Sequence, residues 1–185
     1  GIKGHKEAIK LFFKSRLKNA TLLMVGNNLS YLRKKLWRII GLNSYLKYLF
    51  SVKKKLRIID MNRADTVSAL QSADLFLFPS LIECSPLVLF EACASGTPFL
   101  TSDCGNAKEI IEWTKGGLLL PTEVGDDGYS RIDIKASAKM LEDVISNNQL
   151  LTDLSKNGFE SWKKRFTWEK ISNEYLKLYQ EILSH

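Results

Sequence analysis

Apolar residues at Ala8, Ile9, Leu11, Phe12 and Phe13 recur with helical spacing across 7–17, with lysines opposite, which predicts an amphipathic helix. Residues 21–25 form a short apolar run ending at Gly26-Asn27-Asn28, the pattern of a buried strand and its turn. The stretch 29–50 reads as amphipathic helix interrupted near Gly41 and Asn43, and 56–59 as a second strand. Asp65 is placed to cap a helix through Val67, Leu70 and Ala73 that leads into a third strand at 75–78.

The next block is punctuated more sharply. Ser85-Pro86 predicts a helix start, serine as cap and proline in the first turn. The apolar stretch 87–95 then stops at Gly96, with Pro98 beyond it. A fourth strand at 98–101, a polar loop at 102–106, a helix through Glu109 and Trp113 and a short strand at 118–120 follow. Asp133 caps a helix through Ile145, 148–162 is helical, and a last helix from Thr167 carries Ile171, Tyr175, Leu178, Tyr179 and Ile182 on one side. Strands alternating with helices predict an α/β fold, a doubly wound Rossmann-like parallel sheet.

Composition narrows the class. Apolar residues are 45% and charged residues 25% of the 185, ordinary for a globular protein. No apolar run approaches the roughly 18–20 residues that span a bilayer, and no secretory leader pattern is seen, so a cytoplasmic protein is expected. Three cysteines (Cys84, Cys93, Cys104) without paired spacing, and two histidines, argue against a Cys/His metal centre. The net charge of +7 leaves nucleic acid, an anionic membrane or a phosphorylated substrate open.

Glu91 stands out, because its helix is apolar on every side and an unpaired buried carboxylate is costly. It is expected to have a partner or to face a cleft. Glu83 lies in the loop feeding the same helix. Ligands of open parallel sheets bind outside the carboxyl ends of the strands, and both glutamates follow a strand. The Leu87 and Val88 amides at the helix start would be free donors for phosphate. A carboxylate on each side could accept hydrogen bonds from sugar hydroxyls. The plainer alternative is a pair of solvated glutamates.

The run 78–98 opens on Phe78-Pro79-Ser80, carries Glu83 and Glu91 with seven residues between them, and closes on Gly96-Thr97-Pro98. It resembles the E-x7-E signature of retaining GT-B glycosyltransferases, nearest to glycosyltransferase family 4. The likeness continues through 101–111, through Phe166-Thr167-Trp168 to Tyr179, and includes Lys3-Gly4-His5 at the start. The resemblance implies that Glu83 faces the donor sugar near the reaction centre and that Glu91 holds the ribose hydroxyls. It places the backbone of Ser85, Pro86 and Leu87 against the sugar and diphosphate. Lys3 would neutralise the diphosphate leaving group, and the backbone at Met61 would border the base. It further implies a UDP-sugar or GDP-sugar donor, no metal or other cofactor, and a glycan or lipid-linked acceptor in polysaccharide, lipopolysaccharide or glycolipid synthesis. Residues 1–165 would be the nucleotide-sugar-binding domain, and 166–185 a helix packing back toward an acceptor-binding N-terminal domain outside this sequence. A diphosphate-binding arginine preceding Lys3 would lie outside it too, leaving these residues inactive alone. Two positions depart from the pattern. Cys84-Ser85-Pro86 stands where glycine and an aromatic are usual, and Gly105-Asn106 where two glycines are usual.

The basic segment 33–57, with Trp37, Tyr45, Tyr48 and Phe50 interleaved, reads either as a core-packing helix with a solvated face or as a peripheral membrane contact. No nucleic-acid-binding motif accompanies the charge. Two other functions are weighed, a nucleotide-sugar epimerase of the same fold and a non-catalytic nucleotide- or membrane-binding module.

Overall fold

A computed structural model describes residues 2–26, 29–49 and 54–184. The chain runs α1 (His5–Lys14), β1 (Ala20–Val25), α2 (Ser30–Lys34), α3 (Leu36–Ile40), α4 (Leu42–Leu49), β2 (Lys54–Ile59), α5 (Arg63–Gln71), β3 (Phe76–Phe78), α6 (Leu87–Ala94) and β4 (Phe99–Thr101). Then follow α7 (Ala107–Thr114), β5 (Gly117–Leu119), β6 (Thr122–Val124), β7 (Ser130–Ile132), α8 (Ile134–Ser146), α9 (Asn148–Arg165) and α10 (Trp168–Leu183). Strands β1 and β2 pair in parallel, as do β3, β4 and β5 in that order, while β6 and β7 form an antiparallel hairpin. The α/β fold with parallel strands is as expected.

The central strand β4 is buried throughout, and its side chains alternate between two cores. Leu100 joins Leu11, Leu120, Leu141 and Val144 on the side covered by α1 and α8. Phe99 joins Leu89, Ala92, Cys93 and Ile110 on the side covered by α6, α7 and α9. Helices on both faces are what a doubly wound sheet requires. On the second face α9 comes to backbone contact. A Cβ on Gly158 would lie 2.9 Å from the Cα of Gly116 and 3.3 Å from the Cys93 Sγ. At the far end of α9, the Phe166 ring lies 4.8 Å from that of Phe90 and 6.1 Å from that of Trp113.

Several boundaries differ from expectation, for local reasons. Asn62, not Asp65, caps α5: its side chain accepts from the Asp65 N–H at 2.9 Å, and its amide donates to the Asp65 carboxylate at 2.8 Å. Pro86 rather than Ser85 holds the cap position of α6, with no side-chain cap, so the helix begins one residue later than predicted. The segment 29–50 is three helices, broken at Lys35 as well as at Gly41, whose φ of +83° suits glycine. Its Phe50, like the turn residues Asn27 and Asn28, lies outside the described residues. The hairpin β6–β7 was not anticipated, although Asp127-Gly128 between alternating residues is a turn signal. The caps at Asp133 and Thr167 are where the sequence places them.

Lys54 ties β2 to α1. Its ammonium donates to the carbonyls of Phe12 and Ser15, each at 2.5 Å, and lies 5.0 Å from the Phe12 ring centroid. These are orphan carbonyls of a helix C-terminus, where a cation is favoured. Desolvation pulls the Lys54 pKa below the ordinary lysine value. Replacing Lys54 with Met should destabilise the protein by about 1–3 kcal/mol through the loss of charged hydrogen bonds, measured by urea denaturation.

Candidate donor-binding site

Lys3, Met61 and Glu83 lie in loops that precede α1 or follow strands, and Glu91 lies within α6; one ion pair joins Lys3 to Glu83 and another joins Arg63 to Glu91. Glu83 is the more enclosed carboxylate, its side chain 11% exposed. The Lys3 ammonium reaches both of its oxygens, at 2.8 and 2.9 Å. The hydroxyl of buried Ser80 donates to the first at 2.7 Å. A carboxylate so removed from water needs such partners.

Two glycines make this geometry possible. Gly4 has φ +67°, and a Cβ there would lie 1.8 Å from the Pro79 carbonyl oxygen. The adjacent backbone is stitched by the Leu81 N–H donating to the Ile2 carbonyl at 2.8 Å. On the other side Gly105 has φ +55°, and its Cβ would meet the Cys84 carbonyl oxygen at 2.3 Å. The Asn106 N–H donates to that same oxygen at 3.2 Å. The loop carrying Glu83 is therefore clamped between Lys3-Gly4 and Gly105-Asn106, at a distance only glycine allows. The hairpin adds a third support. The Ser130 N–H donates to the Leu81 carbonyl at 2.7 Å, and its hydroxyl to the Asp103 carbonyl. The side-chain oxygen of Asn106 is buried without a hydrogen-bond partner among the described residues.

Glu91 has the partner expected of it but not the burial. Its side chain is 40% exposed rather than buried, and its oxygen lies 2.8 Å from a guanidinium nitrogen of Arg63, at the start of α5. That partner holds the Arg63 pKa above its ordinary value through the hydrogen bond and the charge. Both groups are solvated, so the pair contributes little stability. Its use is positional. Met61, two residues before Arg63, is half-buried.

Between the two pairs lies the N-terminus of α6. Pro86 is buried, Ser85 and Leu87 are exposed and Val88 is half-buried. Leu89 already donates to the Pro86 carbonyl at 3.0 Å. In a helix start of this form the Leu87 and Val88 amides have no intrahelical acceptor, so they suit an anion. Of the residues singled out in the sequence, the structure brings Lys3 and Glu83 into contact, and it sets Glu83 just before α6 and Glu91 within it. Sequence reasoning missed Arg63, for which a lone exposed arginine gives no signal, and Ser80, which sits in the quoted motif but reads as a strand terminator. It noted glycines at 4 and 105 without seeing that they grip one loop.

Residues 2–161 match the family described as glycosyl transferases group 1. The chain belongs to that family. It is 31% identical over 123 residues to the N,N'-diacetylbacillosaminyl-diphospho-undecaprenol alpha-1,3-N-acetylgalactosaminyltransferase of Campylobacter jejuni, covering 66% of this chain and 30% of that protein. Among solved structures, Anabaena HepE in complex with UDP-glucose superimposes with a TM-score of 0.75 at 19% identity, over 97% of this chain and 46% of that one. The C-terminal domain of LpcC, a group 1 family protein from Francisella tularensis, gives 0.69 at 17% identity, over 90% and 81%. The chain spans about a third of the length of the curated relatives it matches. Its fold is the Rossmann-like half of the GT-B architecture seen in group 1 glycosyltransferases.

Two outcomes test this geometry. Gly4→Ala should cost about 2–4 kcal/mol of stability, since a strained φ and a backbone clash act together, as read from thermal unfolding. The three thiols are free: Cys84 is exposed, while Cys93 and Cys104 are buried. Burial pushes the Cys93 thiol up to about 11 and raises that of Cys104. Mild alkylation near pH 8 should therefore modify Cys84 alone in the folded protein and all three after denaturation, as peptide mass mapping would show.

Proposed function

We propose that this chain is the donor-binding half of a retaining glycosyltransferase that moves a sugar from a UDP- or GDP-sugar to an acceptor hydroxyl. The observation that carries the reading is the pair of carboxylates, Glu83 and Glu91, each held at 2.8 Å by a cation from a different segment, on either side of one helix N-terminus. A nucleoside diphosphate sugar has the matching sequence of groups: sugar, two phosphates, ribose. Glu91 takes the ribose hydroxyls, and the Leu87 and Val88 amides take the diphosphate with the Ser85–Pro86 backbone. Glu83 lies against the donor sugar, and the backbone at Met61 borders the base.

In the reaction the bond from the anomeric carbon to the diphosphate oxygen breaks, and the nucleoside diphosphate departs. The acceptor oxygen bonds to that carbon on the face from which the diphosphate departs, and its hydroxyl proton passes to the departing phosphate oxygen. Lys3 neutralises the charge growing on the departing phosphate, so the reading calls on no metal. A cation already in place needs no reorganisation at that moment. A complex of HepE with UDP-glucose supports a nucleotide-sugar donor. The Campylobacter relative, named for a diphospho-undecaprenol acceptor, supports a lipid-linked or glycan acceptor. Acceptor recognition would fall to an N-terminal domain against which α10 packs. That helix is capped by Thr167, contains no buried residue and exposes Tyr175, Leu178, Tyr179 and Ile182.

Calorimetric titration of the chain with UDP- and GDP-sugars tests the assignment. Glu91→Ala should weaken binding by about 1.5–3 kcal/mol, the worth of a hydrogen bond to a charged group. Unchanged affinity would remove Glu91 from the ribose, and a wild-type chain that binds neither nucleotide would overturn the reading as a whole.

A further inference from the structure

Charge is segregated along this chain to an unusual degree. From residue 8 to residue 59 there is no Asp or Glu at all, against thirteen Lys and Arg. The rest of the chain carries fourteen Lys and Arg against twenty Asp and Glu, so it is net acidic. The positive charge of the molecule thus belongs to one contiguous stretch, a little over a quarter of it, which contains most of α1 and all of α2 to α4.

The structure gives that stretch a two-sided character. Leu29, Leu32 and Leu36 turn inward and pack on Ile9, Met24 and Leu56. Tyr45 and Tyr48 also pack against this core, the Tyr48 ring edge-on to Phe13 at 5.1 Å. The core-packing reading of the segment therefore holds for its inner side. The outer side is a different surface. Arg33, Lys34, Lys35 and Arg38 are exposed, and so are Trp37 at 46%, Leu42 at 60% and Leu46 at 45%. Leu42 and Leu46, four apart on α4, share one helix face. The Arg38 guanidinium lies 5.2 Å from the Trp37 ring centroid. A cleft where α1 meets α3 and α4 is edged by Lys10 and Lys14 and has Phe13, Ile39 and Ile40 in its walls, which joins the basic residues of α1 to the same flank.

We propose that the outer side of α2–α4, with Lys10 and Lys14 of α1, docks the protein onto an anionic lipid bilayer. The occupant follows from the combination of groups. Arg33, Lys34, Lys35 and Arg38, in a run of sequence without a carboxylate, complement a negatively charged headgroup layer, while Glu142 of α8 lies beside Lys14 at the edge of the surface. Trp37, Leu42 and Leu46 need an apolar medium just beneath that layer, and tryptophan is suited to this boundary. A phosphate backbone would satisfy the charges but leave two leucines against water. No helix among the described residues is long and apolar enough to cross a membrane, so the contact lies on the surface. The surface adjoins the cleft rather than Glu83 and Glu91, and the proposal stands whether or not the donor reading does.

Flotation of the chain with phosphatidylcholine vesicles, with and without phosphatidylglycerol, tests it. The chain should float with the mixed vesicles and remain behind with the neutral ones. Joint substitution of Arg33→Glu, Lys34→Glu and Lys35→Glu should reduce partitioning by about a hundredfold or more, since each basic group near such a surface contributes roughly fivefold. Joint substitution of Trp37→Ala, Leu42→Ser and Leu46→Ser should abolish the fraction that stays bound at high salt. A blue shift of tryptophan emission on vesicle addition should vanish in Trp37→Phe. As a charge control, Lys163→Glu, Lys164→Glu and Arg165→Glu on α9 should leave binding unchanged. All the substituted side chains are exposed, and circular dichroism with thermal melting confirms that each variant is folded. Equal capture by neutral vesicles, full binding by the folded charge-reversed variant, loss of binding in the α9 control, or retention on heparin without flotation would each overturn the proposal.

Discussion

The backbone contact of Gly4 with the Pro79 carbonyl is the constraint on which the site depends. Any side chain at position 4 would separate the start of the chain from the loop that ends β3. With it would go the Lys3 ammonium, which is 80 residues away in sequence from the carboxylate it meets. Gly105 does the same from the opposite side. The shape of the Glu83 loop is imposed by neighbours at distances that tolerate no Cβ, and a carboxylate 11% exposed is retained because a lysine and a serine hydroxyl are delivered to it.

The charge pattern shows a second kind of economy. The central strand and its two cores are uncharged, and the ionic groups of the candidate site occupy loops, the start of α5 and the exposed side of α6. Sheet interior and site therefore make separate demands on the sequence. Core positions need volume and alternation, as with Phe99 and Leu100, whereas site positions need particular groups at particular ends of elements.

This division explains what could be read in advance. Strong local signals specified most elements: Asp133 and Thr167 as caps, Gly96 and Pro98 as a stop, alternating apolar strands. Local signals also misled by one to three residues where two cappers competed, as Asn62 and Asp65 did. The relation of Arg63 to Glu91 is not legible, because it joins the start of α5 to the middle of α6, which only the fold brings together, and an exposed arginine has no pattern of its own. Glu91 was expected to be buried because its helix is apolar. Periodicity describes composition around a helix but not which part a neighbouring element leaves uncovered. Pairings across the fold, such as Ser130 with Leu81, were equally invisible.

The close approach of Gly158 to Gly116 has a mechanical consequence. Side chains between helix and sheet normally act as a compliant layer, able to shift by rotamer changes. Here that layer is missing at one point, so α9 is seated almost directly on the backbone and has little freedom to slide. Its far end presses Phe166 against Phe90 of α6, and α10 leaves from that same junction. A force applied to α10 is thus not absorbed along α9. It is delivered, through two aromatic rings, to the helix whose opposite end borders Glu83.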